Sequence, residues 1–314
     1  MPNVRVNPDV ELHYEEFGEG EPLLLIMGIG AQMIIWEEEF CRTLAAQGFR
    51  VIRFDNRDVG MSTRMDKLPT PNVNEMLLAR LRGAPARPPY TLDDMARDTF
   101  GLMDALGIDK AHVVGLSLGG MIAQCMALLT PARVKSLAII MSGPGEFWSA
   151  IPTLPALRAL TVRPKDLSKE GIITHFVKTW RLLGASPHRT PDERLRALGS
   201  LSFERGMNPR GFARQFAAIM AAPVRTKRLR SLHIPTLVLH GAEDPLIPHL
   251  AGRSMAAVIP NARLFVIAGM GHDLGPSAWS FAIRQIADNA RRKLPIRKHR
   301  LGLARALLQP ALEV

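Results

Sequence analysis

The 314-residue sequence contains only two cysteines, Cys41 and Cys125. They are isolated and lack the spacing of a zinc site, which predicts reduced, structural thiols, a reducing compartment and no metal. No uninterrupted apolar run approaches the roughly 18 residues that a membrane-spanning helix requires. The N-terminal stretch MPNVRVNPDVELHYEEFGEG carries several acidic residues and lacks the apolar core of a signal peptide. These absences together predict a cytoplasmic protein.

Acidic side chains are also in short supply. The chain has 29 Asp and Glu against 40 Lys and Arg, a formal net charge of +11. Residues 291–314 hold seven of the basic residues and only one acidic residue, interleaved with leucines. We expect this tail to be either a basic amphipathic helix in weak contact with an anionic membrane surface or a partly disordered extension. The charge on the rest of the chain is small and no recognised motif is present, so we expect no nucleic-acid binding.

The motif with the clearest chemical meaning is Gly115-Leu116-Ser117-Leu118-Gly119. It follows an apolar strand pattern at residues 111–116 and precedes helical periodicity from Leu118 to Leu129. A glycine on each side of the serine allows a sharp turn that presents the hydroxyl, as in a nucleophile elbow. The alternative is a tight Gly-Ser turn without chemistry.

A serine nucleophile requires a base, and the base requires an acid that orients it. On an elbow of this kind the chain order is serine, acid, histidine. Asp244 follows the strand pattern at 234–239, and His272 follows the strand pattern at 262–267 in a glycine-rich loop. Because parallel strands end at the same edge of a sheet, these residues are expected to converge with Ser117. Taken singly, Asp244 fits a turn cap and His272 a loop histidine.

Other residues compete for these roles. His112 lies inside the strand before the elbow, and His240 comes too early in the order. Glu243 is the rival of Asp244, although the residue before Pro245 fits the acid better. Asp273, next to the histidine, is expected to cap a turn or face solvent.

An oxyanion hole requires backbone N–H donors. One is expected from Leu118, directly after the nucleophile, and the second from Ile29, in the loop after an early strand at residues 22–26. The alternative for this loop is an ordinary glycine-rich connection between a strand and a helix.

Strand and helix patterns alternate along the chain, which predicts a mostly parallel sheet with helices on both faces. Strand patterns stop after residue 141 and resume at 234; between them, helical patterns cover residues 170–183, 192–201 and 209–221. Residues 69–89 are rich in proline and arginine and are expected to be irregular. The next helix is expected to open at residues 91–94, with Thr91 as its N-cap and Asp94 in its first turn. Residues 55–62 form a polar turn after a strand, for which a loop-stabilising network is the favoured interpretation.

Five segments give the chain a family resemblance. They are IMGIGAQMIIW (26–36), RVIRFDNRDVGMST (50–63), AHVVGLSLGG (111–120), IPTLVLHGAEDPLIP (234–248) and IPNARLFVIAGMGHDL (259–274). The chain resembles the α/β-hydrolase superfamily and, within it, the aclacinomycin methylesterase-like esterases. One departure is Met27, where many members of the superfamily have histidine, which leaves the polarity of the pocket open.

The resemblance implies an α/β-hydrolase fold with a helical cap insertion. The implied core is residues 1–142 and 231–290, the cap is 143–230, and the tail is 291–314. Ser117 would be the nucleophile, Asp244 the acid and His272 the base, with Ile29 and Leu118 as oxyanion donors. Aromatic residues of the cap are expected partly to pack on the core and partly to line an apolar pocket; they include Phe147, Trp148, Phe176, Trp180 and Phe212.

The sequence therefore predicts a serine-dependent carboxylic ester hydrolase that works through an acyl-enzyme and uses no metal or organic cofactor. Its substrate is expected to be a small-molecule ester, apolar or amphipathic in character. Thioester, lactone, C–C bond or perhydrolase chemistry can run on the same three residues. A non-catalytic ligand receptor of this fold is the alternative from a different class, because fold does not dictate function.

Overall fold

The computed structural model describes residues 2–83, 87–146, 149, 151–162, 164–294 and 312–313. Nine strands in these ranges form one sheet. They are β1 (Asn3–Asn7), β2 (Val10–Phe17), β3 (Glu21–Ile26), β4 (Phe49–Phe54), β5 (Ala111–Leu116), β6 (Val134–Ile140), β7 (Thr236–Gly241), β8 (Arg263–Ile267) and the two-residue β9 (Leu312–Glu313). Their spatial order is β1-β2-β4-β3-β5-β6-β7-β8-β9. The β1–β2 and β2–β4 pairings are antiparallel, and the other pairings are parallel.

The helices of the same ranges connect these strands. They are α1 (Glu38–Ala45), α2 (Val73–Leu81), α3 (Leu92–Ala105), α4 (Leu118–Leu129), α5 (Leu154–Thr161), α6 (Lys169–Leu183), α7 (Asp192–Glu204), α8 (Pro209–Ala221), α9 (Thr226–Leu229), α10 (Leu250–Val258) and α11 (Pro276–Arg291). None of them is long and apolar enough to cross a membrane.

The central strands are continuous apolar runs because both faces of the sheet are covered. On β3, Leu24 and Ile26 face a core that includes residues of α3, α4 and α10. Leu23 and Leu25 face the opposite core, which includes residues of α1 and α11. The predicted mostly parallel sheet with helices on both faces is therefore confirmed.

Local sequence sets the position at which α3 begins. The Thr91 hydroxyl accepts a hydrogen bond from the Asp94 N–H, and the Asp94 carboxylate accepts one from the Thr91 N–H. This capping box fixes the start of α3, where the sequence predicts it. By contrast, residues 69–89 are not irregular throughout, because α2 forms within them. Its sequence VNEMLLARL is free of proline and rich in helix-forming residues, so the prolines act only on its flanks.

Helices α5 to α9 lie between β6 and β7. The predicted helices at 170–183, 192–201 and 209–221 correspond to α6, α7 and α8. No helix is predicted from the sequence at α5 or α9. Helices α6 and α7 pack around Ile173, Val177 and Leu195. The division into core and cap stays a prediction, and Phe147 and Trp148 lie outside the described residues. So does the predicted tail beyond residue 294, apart from β9.

Candidate active site at the carboxyl edge of the sheet

Ser117 lies at the sharp turn between β5 and α4. Its backbone φ is 55° and ψ is −117°, a conformation with positive φ that side chains larger than glycine rarely adopt. The turn closes only because its neighbours lack side chains. A Cβ at Gly115 would lie 2.2 Å from the Gly119 carbonyl oxygen, and one at Gly119 would lie 2.0 Å from the Ile26 carbonyl oxygen. The serine is thus held in a strained turn by the two glycines of the motif.

The structure brings the three polar residues from separate strand ends into contact. His272 Nε2 lies 3.0 Å from Ser117 Oγ, and His272 Nδ1 lies 2.7 Å from Asp244 Oδ2. With its proton on Nδ1, the ring donates to the carboxylate, and Nε2 accepts from the serine hydroxyl. All three side chains belong to buried residues, so their contacts are protected from bulk water.

Both carboxylate oxygens of Asp244 have hydrogen-bond partners. Oδ1 accepts hydrogen bonds from the Leu246 N–H at 2.9 Å and the Ile247 N–H at 2.8 Å, which leaves Oδ2 for the histidine. Burial alone would raise the pKa of Asp244. Its interactions with His272 and His240 outweigh that effect and hold the pKa well below its usual range. The carboxylate is therefore ionised beside the imidazole.

His240 also lies at this site, beside the acid that follows it in the sequence. Its Nε2 is 2.7 Å from the Ile247 carbonyl oxygen and 3.4 Å from Asp244 Oδ2. It is fully buried and contacts Asp244 Oδ2, the oxygen that also bonds His272, so it supports Asp244 instead of competing for the serine. Its position four residues before the acid was the one available sequence clue.

The loop after β3 lies against Ser117. A Cβ at Gly28 would be only 3.3 Å from the Cβ of Ser117. Ile29 follows in this loop, and Leu118 is the first residue of α4, where N–H groups lack intrahelical acceptors. Both expected oxyanion donors thus belong to segments that meet at Ser117. Met27, at the start of the loop, is buried, so the wall it contributes is apolar.

A narrow cleft beside His272 offers about 20 Å³ to a water-sized sphere, room for about one water molecule. Its lining is mainly apolar and combines the loop after β3 with α6, α7 and α11; the residues are Met27, Ile35, Trp36, Glu37, Phe40, Leu116, Trp180, Thr190, Leu195, Leu198, His272, Asp273, Leu274 and Trp279. Trp180 is one of the aromatic residues expected to line a pocket. The cleft therefore places apolar surface next to the imidazole.

The rival residues are accounted for by other contacts. His112 bonds Ser136 and Glu21 inside the sheet, and burial lowers its pKa. Glu243 is exposed. Asp273 does not face solvent: it is buried and accepts hydrogen bonds from the N–H and hydroxyl of Thr190, which anchor the start of α7. Burial raises the pKa of Asp273.

The polar turn at 55–62 forms the predicted network. Asp58 pairs with the fully buried Arg214 of α8 at 2.6 Å, and Asp55 pairs with Arg205 at 2.6 Å. Burial would raise the pKa of Asp58, but its hydrogen bonds with Arg214, the Met65 N–H and Tyr90 hold it below its usual range. The network thereby ties the turn after β4 to the segment between β6 and β7.

Within the described ranges, no group of three or more His, Cys, Asp or Glu side chains is arranged to hold a metal ion. The buried polar residues at the sheet edge are instead a serine, a histidine and a carboxylate in hydrogen-bonded series. A serine on a strand-to-helix elbow, bonded through histidine to a carboxylate beyond later strands, is the arrangement of enzymes with the α/β-hydrolase fold.

Comparison with known proteins gives the same class. The family model of the alpha/beta hydrolase fold matches residues 21–276, and the chain belongs to this family. It is 30% identical over 304 residues to the rhodomycin D methylesterase of Streptomyces sp. (strain C5), which covers 87% of this chain and 93% of that protein. The expected resemblance to methylesterase-like esterases is thus confirmed.

One further relative and one solved structure have names that describe other reactions. The 2-hydroxymuconate semialdehyde hydrolase of Pseudomonas putida is 29% identical over 273 residues, 81% of this chain and 82% of that protein. The crystal structure of the enol-lactonase from Burkholderia xenovorans LB400 superposes with a TM-score of 0.69 at 22% identity, covering 93% of this chain and 100% of that one. The latter likeness bears on the fold alone.

Proposed function

We propose that this protein is a serine-dependent carboxylic ester hydrolase with Ser117, His272 and Asp244 as its catalytic triad. The observation that carries the proposal is the hydrogen-bonded series from Ser117 Oγ through His272 to Asp244, at 3.0 and 2.7 Å. Both distances are within hydrogen-bond reach. The first allows the histidine to take the serine proton, and the second allows the carboxylate to orient the histidine. The family and the methylesterase relative support ester hydrolysis in particular.

In the first half-reaction, Ser117 Oγ attacks the ester carbonyl carbon while His272 Nε2 takes the hydroxyl proton. The ionised Asp244 stabilises the imidazolium that forms. The carbonyl oxygen becomes an oxyanion, which the N–H groups of Ile29 and Leu118 stabilise. Collapse of the tetrahedral intermediate breaks the C–O bond to the alcohol, and His272 gives its proton to the departing oxygen.

In the second half-reaction, a water molecule attacks the acyl-enzyme. His272 takes the proton of that water as it adds to the acyl carbon, and then returns a proton to Ser117 Oγ as the acid leaves. These steps need no metal or organic cofactor. The methylesterase relative supports a methyl ester as substrate, and the apolar lining of the cleft beside His272 supports an apolar acyl group.

The test is Ser117→Ala, assayed with a panel of methyl and longer alkyl esters and with a fluorophosphonate that labels active serines. The variant is expected to lose labelling and to lose turnover by about a million-fold, the cost of removing a nucleophile that works as part of a triad. Ser136→Ala is the matched control, because this buried serine bonds His112 inside the sheet, at the opposite end of β5 from Ser117. Wild-type turnover in Ser117→Ala would refute the mechanism, and stoichiometric binding without repeated turnover in the native protein would favour a receptor.

A further inference from the structure

The loop that carries Ile29 is held by a side chain from a distant part of the chain. The Gly30 N–H donates to Gln215 Oε1 at 2.8 Å, although Gln215 belongs to α8, 185 residues later. The other end of the same amide donates from Nε2 to the Arg57 carbonyl oxygen at 2.9 Å. Gln215 is completely buried, and both of its polar ends are paired with backbone.

The two backbone partners allow the amide only one orientation. Turning it over would place its NH2 group against the Gly30 N–H and its oxygen against the Arg57 carbonyl. A buried donor or acceptor left unpaired costs about 1–3 kcal/mol, so this orientation is strongly preferred. The amide therefore acts as a fixed acceptor for one N–H of the loop.

The loop requires such a constraint because a glycine at position 30 places little restriction on the backbone angles. Gly30 has a φ of +62°, in the region where glycine is free and other residues are strained. The peptide between residues 29 and 30 is joined through the Ile29 Cα to the peptide that carries the Ile29 N–H. If the Gly30 N–H lost its acceptor, this segment could rotate and the direction of the Ile29 N–H would no longer be fixed.

The same helix also limits the space around the loop. A Cβ at Gly30 would lie 2.8 Å from Phe212 Cδ2, so Phe212 packs directly on the glycine. Phe212 and Gln215 are three residues apart and share a face of α8. One face of α8 thus supplies both a hydrogen-bond acceptor and a steric wall to the loop beside Ser117.

We propose that Gln215 is a positioning residue that orients the Ile29 N–H for oxyanion stabilisation, so that the segment between β6 and β7 helps to build the oxyanion hole. The inference rests on the proposed function, since it assigns a role to the same site. Removal of one oxyanion donor costs about 100- to 1,000-fold in rate. Disorienting the donor without removing it is expected to cost about 10- to 100-fold.

The test compares Gln215→Met with Gln124→Met. Gln124 is equally buried: it donates to the Gly143 carbonyl oxygen and accepts from the Arg225 guanidinium, and neither partner belongs to the loop after β3. For each variant we would measure kcat and KM on one ester, inhibition by a trifluoromethyl ketone that forms an oxyanion with Ser117, and binding of the product acid. Gln215→Met is expected to lower kcat and weaken ketone inhibition by at least 10-fold while changing KM and acid binding less than threefold. Gln124→Met is expected to lower the melting temperature without this selective loss.

Gln215→Asn provides a second test if the methionine variant does not fold. Its amide is one methylene shorter, so it stays polar at this buried position but no longer reaches both the Gly30 N–H and the Arg57 carbonyl oxygen. Its ketone affinity is expected to be at least 10-fold weaker than that of wild type, with acid binding changed less than threefold. Equal losses of ketone and acid binding in either Gln215 variant, or wild-type ketone affinity in both, would overturn the positioning role. Native protein without serine-dependent turnover would instead overturn the proposed function, and this inference with it.

Discussion

The substitution Asp244→Asn tests the role of the carboxylate with almost no change of shape. Asp244 Oδ1 accepts two backbone hydrogen bonds, from Leu246 and Ile247. In the variant, only the carbonyl oxygen of the amide can accept these bonds, so it must occupy the Oδ1 position. The NH2 group is then forced into the Oδ2 position, 2.7 Å from His272 Nδ1 in the native geometry.

This forced orientation decides which tautomer the histidine adopts. Facing an NH2 donor, His272 Nδ1 must be unprotonated, so the proton of the neutral ring moves to Nε2. An Nε2–H cannot accept the proton of Ser117, and the serine loses its base. The corresponding loss of correct tautomer in a Ser-His-Asp enzyme is about 10,000-fold in kcat. At about 1.36 kcal/mol per factor of ten, this is about 5.4 kcal/mol of transition-state stabilisation.

The assay is steady-state hydrolysis of a p-nitrophenyl ester, with the melting temperature as a check on folding. We expect KM to change little, because the carboxylate contacts the histidine and not the substrate. Glu243→Gln is the matched control: its side chain is exposed and adjacent in sequence, and its kcat is expected to stay within about twofold of wild type. A kcat for Asp244→Asn within tenfold of wild type, or a larger loss in Glu243→Gln, would contradict the assignment of the acid.

Three other predictions concern stability, thiols and the tail. Arg214→Met is expected to lower the free energy of unfolding by about 3–5 kcal/mol, measured in urea, because it leaves the buried carboxylate of Asp58 without its charged partner. Arg50→Met, the control at an exposed ion pair, is expected to cost less than about 1 kcal/mol. Because the pKa of Asp58 is held below its usual 3.8, this stabilisation is present above pH 4 and is lost on acidification, and an equal cost at pH 2 and pH 7 would refute it. Burial raises the pKa of both cysteine thiols to about 12, so neither is expected to react with a thiol reagent at pH 8 until the protein is unfolded. Removing residues 295–314 is expected to leave kcat on a small ester nearly unchanged and to weaken salt-sensitive binding to anionic vesicles; equal binding by both forms would exclude the membrane role.

The parts of the fold and site that the sequence predicts are those with strict local requirements. The elbow needs glycines at 115 and 119 because any Cβ there would collide with backbone. Asp244 and His272 are recognisable because each follows a continuous apolar strand, and parallel strands deliver their ends to one edge. The capped start of α3 is visible for the same reason, since Thr91 and Asp94 satisfy each other within one turn. Local geometry and sequence agree at all of these positions.

The expectations drawn from sequence are least complete where a contact with a distant residue decides the local structure. Of the two expectations for Asp273, exposure is wrong, because Thr190, 83 residues away, covers it with two hydrogen bonds of the capping kind. The sequence places His240 near the acid, but its distance of 3.4 Å from Asp244 Oδ2 depends on how the loop after β7 closes. Helix α2 was missed because its flanking prolines dominate the composition of the segment.

Gln215 shows why residues that support a site are harder to find than residues that react. A nucleophile elbow needs special backbone angles and so imposes glycine on its neighbours, whereas an amide acceptor on a helix face needs no particular residue beside it. What Gln215 does require is distant: the Gly30 N–H, an absent Cβ at position 30, and room for Phe212 against it. A side chain at position 30 would demand a smaller residue at 212 and would move the face of α8 that carries Gln215. The loop and the helix are therefore expected to change together, so that altering the segment between β6 and β7 alters the oxyanion hole as well as the pocket.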